Sequence, residues 1–221
     1  LAVLEAYGIP VVEHRIVPTP AGASAAELAS AAVRAAEALG YPLVVKALSH
    51  EVVHKTDVGA VKVDLRDADD VRGAALEIVA GVGSVPGARL EGLLVERFVA
   101  GGRETIAGMS TDPQFGPVLM FGLGGIYVEA LGDVAFRLAP VTAQDAGEMV
   151  DSLRGVRLLQ GLRGEEAVDR SALVEVIQRL GQLAVDHPEI AEVDVNPLLA
   201  SPEGVVAVDA RIRLAPAHRD V

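Results

Sequence analysis

The chain has 221 residues, 51% of them hydrophobic but only 3% aromatic, with a net charge of −12 and no cysteine. That is enough apolar material for one large domain or two lobes, and it excludes a disordered chain. The acidic balance excludes a broad nucleic-acid footprint, and the lack of cysteine excludes disulfides, thiolate nucleophiles and cysteine-held metals. No apolar run approaches the roughly 18 residues of a membrane span, and nothing reads as a signal peptide. A cytoplasmic protein with neither a membrane nor a nucleic-acid partner is expected.

In chain order, Leu1–Tyr7 reads as a helix end stopped by Gly8, and Val11–Val17 as a short strand. Ser24 and Glu27 form a capping-box pattern before a helix with Leu28, Ala32, Ala35 and Leu39 on one stripe, stopped by Gly40. Leu43–Leu48 is a strand. Val61, Val63 and Leu65 alternate with Lys62, Asp64 and Arg66, a strand with one wet face, and Asp67 caps a helix with Val71, Ala75, Ile78 and Val82 inward. Leu93–Val99 is a strand ending at Gly101-Gly102. Arg103–Met109 and Val118–Phe121 are strands joined by the turn Asp112–Gly116. After Gly122–Gly125 come the strand candidates Ile126–Ala130 and Val134–Leu138. Thr142 opens a helix, Val156–Glu166 is irregular, and Leu173, Val176, Leu180 and Leu183 mark a long last helix. Val193–Ala200 and Val205–Arg211 form a closing hairpin. This order is not a βαβ series. An α+β fold of two lobes is expected, one of residues 18–98 and one of 1–17 plus 99–221.

Lys46 stands inside an apolar strand, where an unpaired charge is costly to bury, so it must be paired or reach a cleft. A lysine there suits a nucleotide phosphate, as do Lys55 and the Thr56 hydroxyl a few residues on. Gly59 lets backbone come close to a ligand. The Walker pattern is absent, and Gly122–Gly125 serves equally as an anion-facing loop or a tight turn. His54 is the candidate nucleophile, since a neutral imidazole can carry a phosphoryl group; a lone loop histidine is more often inert. His14, His50, His187 and His218 show no metal spacing. Glu96 and Glu104, at strand ends, can accept from an adenine amine or a ribose hydroxyl, or simply be solvated hinge charges.

Alternation puts Glu192, Asp194 and Asn196 on one strand face, and Asp209 with Arg211 on one face of the next strand. A Ser201–Gly204 hairpin loop pairs Ala200 with Val205, which sets Asn196 opposite Asp209 and Asp194 opposite Arg211. Facing Cβ atoms are about 5 Å apart, so Asn196 and Asp209 can share one cation. Oxygen ligands favour Mg²⁺ over zinc. An ordinary cross-strand polar pair explains the same spacing equally well.

Together, Tyr41–Val63, Leu93–Gly108, Asp112–Glu129, Ala135–Pro140 and Val193–Arg211 resemble, in order, the ATP-grasp domain of the NDP-forming acyl-CoA synthetases, the family of ADP-forming acetyl-CoA synthetase. A more distant likeness is to the succinyl-CoA synthetase β subunit. The resemblance implies an ATP-grasp fold, with nucleotide bound between two lobes. It implies the reaction acyl-CoA + ADP + phosphate = carboxylic acid + CoA + ATP, with histidine as phosphoryl carrier and ATP or ADP with Mg²⁺ as cofactors. It gives Lys46 and Gly59 to the nucleotide phosphates, which Lys55 and Thr56 also suit by their chemistry, Glu96 with the hinge backbone at Val99 to adenine, and Glu104 to ribose. Asn196 and Asp209 would bind Mg²⁺, His54 would be the phosphorylated histidine, and Asp194 would orient a phosphohistidine. Ala60 stands where a second glycine is common, and Thr56 where serine is frequent. The implied partners are CoA-binding and ligase domains, or an α subunit, within an oligomeric enzyme. A non-catalytic regulatory module of a protein acyltransferase is the alternative, and an ATP-grasp carboxylate–amine ligase is disfavoured by HKTDVG.

Overall fold

A computed structural model describes residues 1–52, 58–125, 132–162 and 164–215. Two compact units emerge, one of Val12–Ala100 and one joining Leu1–Val11 to Gly101–Val221. The first unit starts ahead of residue 18 because β1 (His14–Pro18) pairs antiparallel with β4 (Gly92–Arg97), His14 lying opposite Glu96.

In the first unit, these two strands join β2 (Leu43–Leu48) and β3 (Val61–Leu65) in the order β1-β4-β2-β3, every neighbour antiparallel. Two helices, α2 (Ala25–Leu39) and α3 (Ala68–Gly83), complete it. Ser24 caps α2: its hydroxyl accepts from the Glu27 N–H, and Glu27 accepts in return from the Ser24 N–H at 2.8 Å. Such a cap contributes about 1 kcal/mol. Asp67 caps α3 by accepting from the N–H groups of Asp69 and Asp70. Val45, Ala47, Leu93 and Val95 share one core with Leu28, Ala32 and Ala36 of α2 and Val71, Ala75 and Ile78 of α3. Strand alternation turns Val44, Lys46, Leu94 and Glu96 to the other face of the sheet.

The second unit has a six-stranded antiparallel sheet built from β5 (Arg103–Asp112), β6 (Gly116–Leu123), β7 (Val134–Leu138), β8 (Ile190–Ser201), β9 (Gly204–Ala207) and β10 (Ala210–Leu214). The order is β10-β8-β5-β6-β7, with β9 also paired to β8. Its core sets Met109, Leu119, Phe121, Val193 and Val195 with side chains of α4 (Ala143–Asp151) and α5 (Arg170–Asp186), among them Met149, Leu173, Ile177 and Leu180. Leu4 of α1 (Ala2–Ala6) and Ile9 belong to the same core. The β5–β6 turn is held by Asp112, whose carboxylate accepts from the N–H groups of Gln114 and Phe115 at 2.8 and 2.9 Å. The strand expected at Ile126–Ala130 lies outside the described residues. Among the described residues, no helix is long and apolar enough to cross a membrane.

Candidate functional site

Lys46 and Glu96 meet. The Lys46 Nζ lies 2.7 Å from Glu96 Oε2, and the two residues are only 6% and 0% exposed. The register explains the contact: Lys46 faces Leu94 and Val44 faces Glu96, so the two charges are diagonal neighbours on one face of adjoining strands. The lysine that stood out in an apolar strand is therefore held by a carboxylate, and Glu96 is a buried anion rather than a solvated hinge charge. Strand β4 ends at Arg97, after which the Phe98 N–H donates to the Pro42 carbonyl at 3.0 Å and Val99 is half-buried. Gly59 has φ +66°, and a Cβ there would meet nothing within 4 Å. Glycine is thus needed for the left-handed backbone, not for close packing against the protein. His54, Lys55 and Thr56 lie outside the described residues.

In the second unit, the rungs of β8 with its partners fall in the expected register. Ala200 faces Val205 in β9, and Asp194 faces Arg211 in β10. Between these, the Val208 N–H donates to the Pro197 carbonyl at 3.0 Å, and the Asn196 N–H donates to the Asp209 carbonyl at 3.1 Å. Asn196 and Asp209 are therefore neighbours across the ladder. One rung further on from Asp194, Arg213 Nε donates to Glu192 Oε2 at 2.9 Å. This face thus carries Glu192, Asp194, Asn196, Asp209, Arg211 and Arg213. Burial first, then the charges of Glu192 and Asp209, push the Asp194 carboxyl above the ordinary aspartate range, while Arg211 pulls it back. Among the described residues, no three His, Cys, Asp or Glu side chains converge as they would around a metal held by protein alone. Two oxygen donors side by side suit a hard cation that takes its other ligands from phosphate and water.

Glu104, exposed at the start of β5, lies against the glycine loop. The Gly124 N–H donates to the Glu104 carbonyl at 2.7 Å, and a Cβ on Gly124 would sit 2.8 Å from the Glu104 carbonyl carbon. That close approach accounts for a glycine there, and it commits the N–H to protein rather than to an anion. Sequence reading missed Asp133, buried at the start of β7, whose carboxylate accepts from the backbone N–H groups of Arg154 and Gly155 at 2.9 and 2.8 Å. The only signal in the sequence was an aspartate beside Gly132 at a strand entry, a pattern most turns share.

A family model described as an ATP-grasp domain matches residues 1–214. The chain belongs to the ATP-grasp family. Among ATP-grasp relatives, the chain is 46% identical to acetate–CoA ligase [ADP-forming] I of Archaeoglobus fulgidus, with 97% of this chain and 30% of that one covered. It is 42% identical to acetate–CoA ligase [ADP-forming] I subunit beta of Pyrococcus furiosus, with 96% of this chain and 88% of that one covered. Acetyl-coenzyme A synthetase 1 of Ca. Korarchaeum cryptofilum, in complex with coenzyme A, Ca-AMPCP and HgCl+, has the same ATP-grasp fold, with a TM-score of 0.90 at 44% identity over 97% of this chain and 90% of that one. A second structure of that enzyme, in complex with coenzyme A and Mg-AMPPCP, has its phosphohistidine segment pointing towards the nucleotide binding site; its TM-score is 0.80 at 42% identity over 96% and 88% of the two chains. The chain therefore spans under a third of the single-chain relative and most of the separate subunit.

Proposed function

We propose that this chain is the nucleotide-handling module of an ADP-forming acyl-CoA ligase, which interconverts acyl-CoA, ADP and phosphate with carboxylic acid, CoA and ATP. The observation that carries the reading is the Asn196–Asp209 rung beside Asp194, in a chain whose relatives bear the ligase name. The donor set fits Mg²⁺, with Asn196 and Asp209 as its protein ligands; when bound, the ion neutralises phosphate charge. Lys46, fixed by Glu96, presents a cation to the nucleotide phosphates, joined by Lys55, Thr56 and Gly59 further along the sequence. Glu96 and the backbone near Val99 read the adenine edge, and Glu104 holds ribose.

Phosphoryl transfer runs through His54 and needs little covalent help beyond positioning and charge. A β-phosphate oxygen of ADP attacks the phosphorus on the imidazole; the P–N bond breaks as the P–O bond forms, and histidine is left neutral. Asp194 serves to orient a phosphohistidine brought into the site, and an aspartate that is partly desolvated is a stronger acceptor. CoA binding and the acyl-phosphate step fall to other domains or another subunit of the enzyme.

The test is phosphohistidine formation in the complete enzyme, together with calorimetry of Mg-ADP on this chain. The wild type is expected to bind Mg-ADP and to carry acid-labile label, which His54→Asn removes; Asn196→Ala with Asp209→Asn should raise the Mg²⁺ needed. Absence of nucleotide binding, or a label taken from ATP that survives His54→Asn, would refute the reading.

A further inference from the structure

The large sheet of the second unit shows a second kind of surface at the opposite end from Asp194. Cross-strand pairing sets Phe136 beside Met120 and Leu138 beside Val118 on one face of β6 and β7. Phe136 and Leu138 are 55% and 51% exposed, and Phe115, in the β5–β6 turn, is 67% exposed. Aromatic residues are only 3% of this chain, and two of its four phenylalanines stand in this patch rather than in a core. Phe115, Val118, Phe136, Leu138 and Val141 line a cavity of about 650 Å³ there, with Arg137 and Asp145 at its rim. Among the described residues, β7 is also the last strand of its sheet. A long apolar edge left open invites association, so sheets ordinarily blunt such edges with charge. An apolar centre with aromatic anchors and a charged rim is the composition of an interface core.

We infer that this face docks the CoA-binding and ligase portion of the enzyme, an inference that rests on the function proposed above. The relatives supply the reason to choose this occupant. The region makes up 30% of one single-chain ligase and 88% of a separate subunit beta. In the second arrangement no peptide bond holds the remaining machinery, and little length lies outside the matched region to form a docking domain of its own. The surface of this fold must then hold the partner, and a stable interface needs roughly 800 Å² on each side with a few buried anchors. Phe115, Phe136 and Leu138 are such anchors, on side chains that contribute little to the unit's own core.

The test reconstitutes the enzyme from this chain and a separate CoA-binding and ligase polypeptide of the same enzyme. Association is measured by sedimentation velocity and Mg-ADP binding by calorimetry, for the wild type, Phe136→Thr and Phe115→Ser. Threonine keeps the strand preference at 136, and 115 lies in a turn, so both variants keep the fold. The inference expects association at least about tenfold weaker for each, as truncation of an interface anchor gives, with Mg-ADP affinity within about twofold of the wild type. Unchanged association in both variants would overturn it. So would a self-association of this chain that the same substitutions abolish, since a second copy would then be the occupant. Failure of the wild type to bind Mg-ADP is a separate result: it refutes the nucleotide function, and with it the reason for choosing this partner.

Discussion

Replacing Lys46 by methionine removes an ammonium 2.7 Å from a carboxylate that is completely buried, while keeping most of the side-chain volume. Breaking a buried pair from one side costs about 3–5 kcal/mol, because the other charge stays in a medium that solvates it poorly. A unit the size of Val12–Ala100 loses about 4–8 °C of melting temperature per kcal/mol, so a fall of more than about 12 °C is expected. Lys46→Met with Glu96→Leu removes both charges and leaves apolar groups of similar size. Its stability should return to within about 1 kcal/mol of the wild type, since buried pairs are often no better than their apolar replacements. Nucleotide binding should stay weakened, because the Lys46 ammonium no longer meets the phosphates. The chain has no tryptophan, so urea unfolding is best followed by far-ultraviolet circular dichroism, with calorimetry of Mg-ADP alongside. A single variant within about 1 kcal/mol of the wild type, or a double variant as unstable as the single, would refute this account of the pair.

Asp194 offers a pH test. Its carboxyl is raised in the folded chain, so the native state holds the proton more tightly than the unfolded state, and stability falls as pH rises out of the ordinary aspartate range near 3.8. Asp194→Asn should therefore melt higher than the wild type at pH 7, with the gap closing as pH drops to 4 and below; a gap independent of pH would contradict the assignment. Asp133→Ala removes the acceptor of two backbone N–H groups and should destabilise the second unit by about 2–4 kcal/mol in urea, where a purely solvated aspartate would give almost nothing. Gly59→Ala must hold a left-handed backbone at φ +66° and should cost about 1–2 kcal/mol in the first unit; a neutral result would mean that the loop relaxes freely.

Local signals carried far in this sequence. The Ser24–Glu27 capping box and the Asp67 cap depend on neighbours within a few residues, and each has the form expected. The alternation expected over Val61–Leu65 does not hold: the pairing with β2 slips between Val45 and Leu43, Asp64 takes φ +56°, and Val63 is 59% exposed. Yet the rung of Asn196 with Asp209 was legible, because a short hairpin loop fixes the register of everything behind it. The Lys46–Glu96 contact was not. Fifty residues separate the two, and only the insertion of β4 between β1 and β2 makes them neighbours. The exposure of Phe115 and Phe136 was equally hidden, since an alternating strand shows two faces in sequence without saying which of them is covered. Gly124 looked like an anion loop for a similar reason: the backbone that crowds it, at Glu104, lies on another strand.

The first eleven residues belong to a core whose remaining members are made much later. Leu4 and Ile9 pack with Leu173, Ile177 and Leu180, and the Arg179 guanidinium donates to the Tyr7 carbonyl at 2.7 Å. In topological terms Val12–Ala100 is a guest inserted into a host, and both splice points touch one hairpin: Val11 bridges to Ala207, and Gly102 lies against Ala200. On the ribosome the guest can complete its own core while the host's opening helix waits, its apolar side chains exposed, for α5 to emerge. Removing that short helix would therefore damage the unit distant in sequence and spare the one beside it.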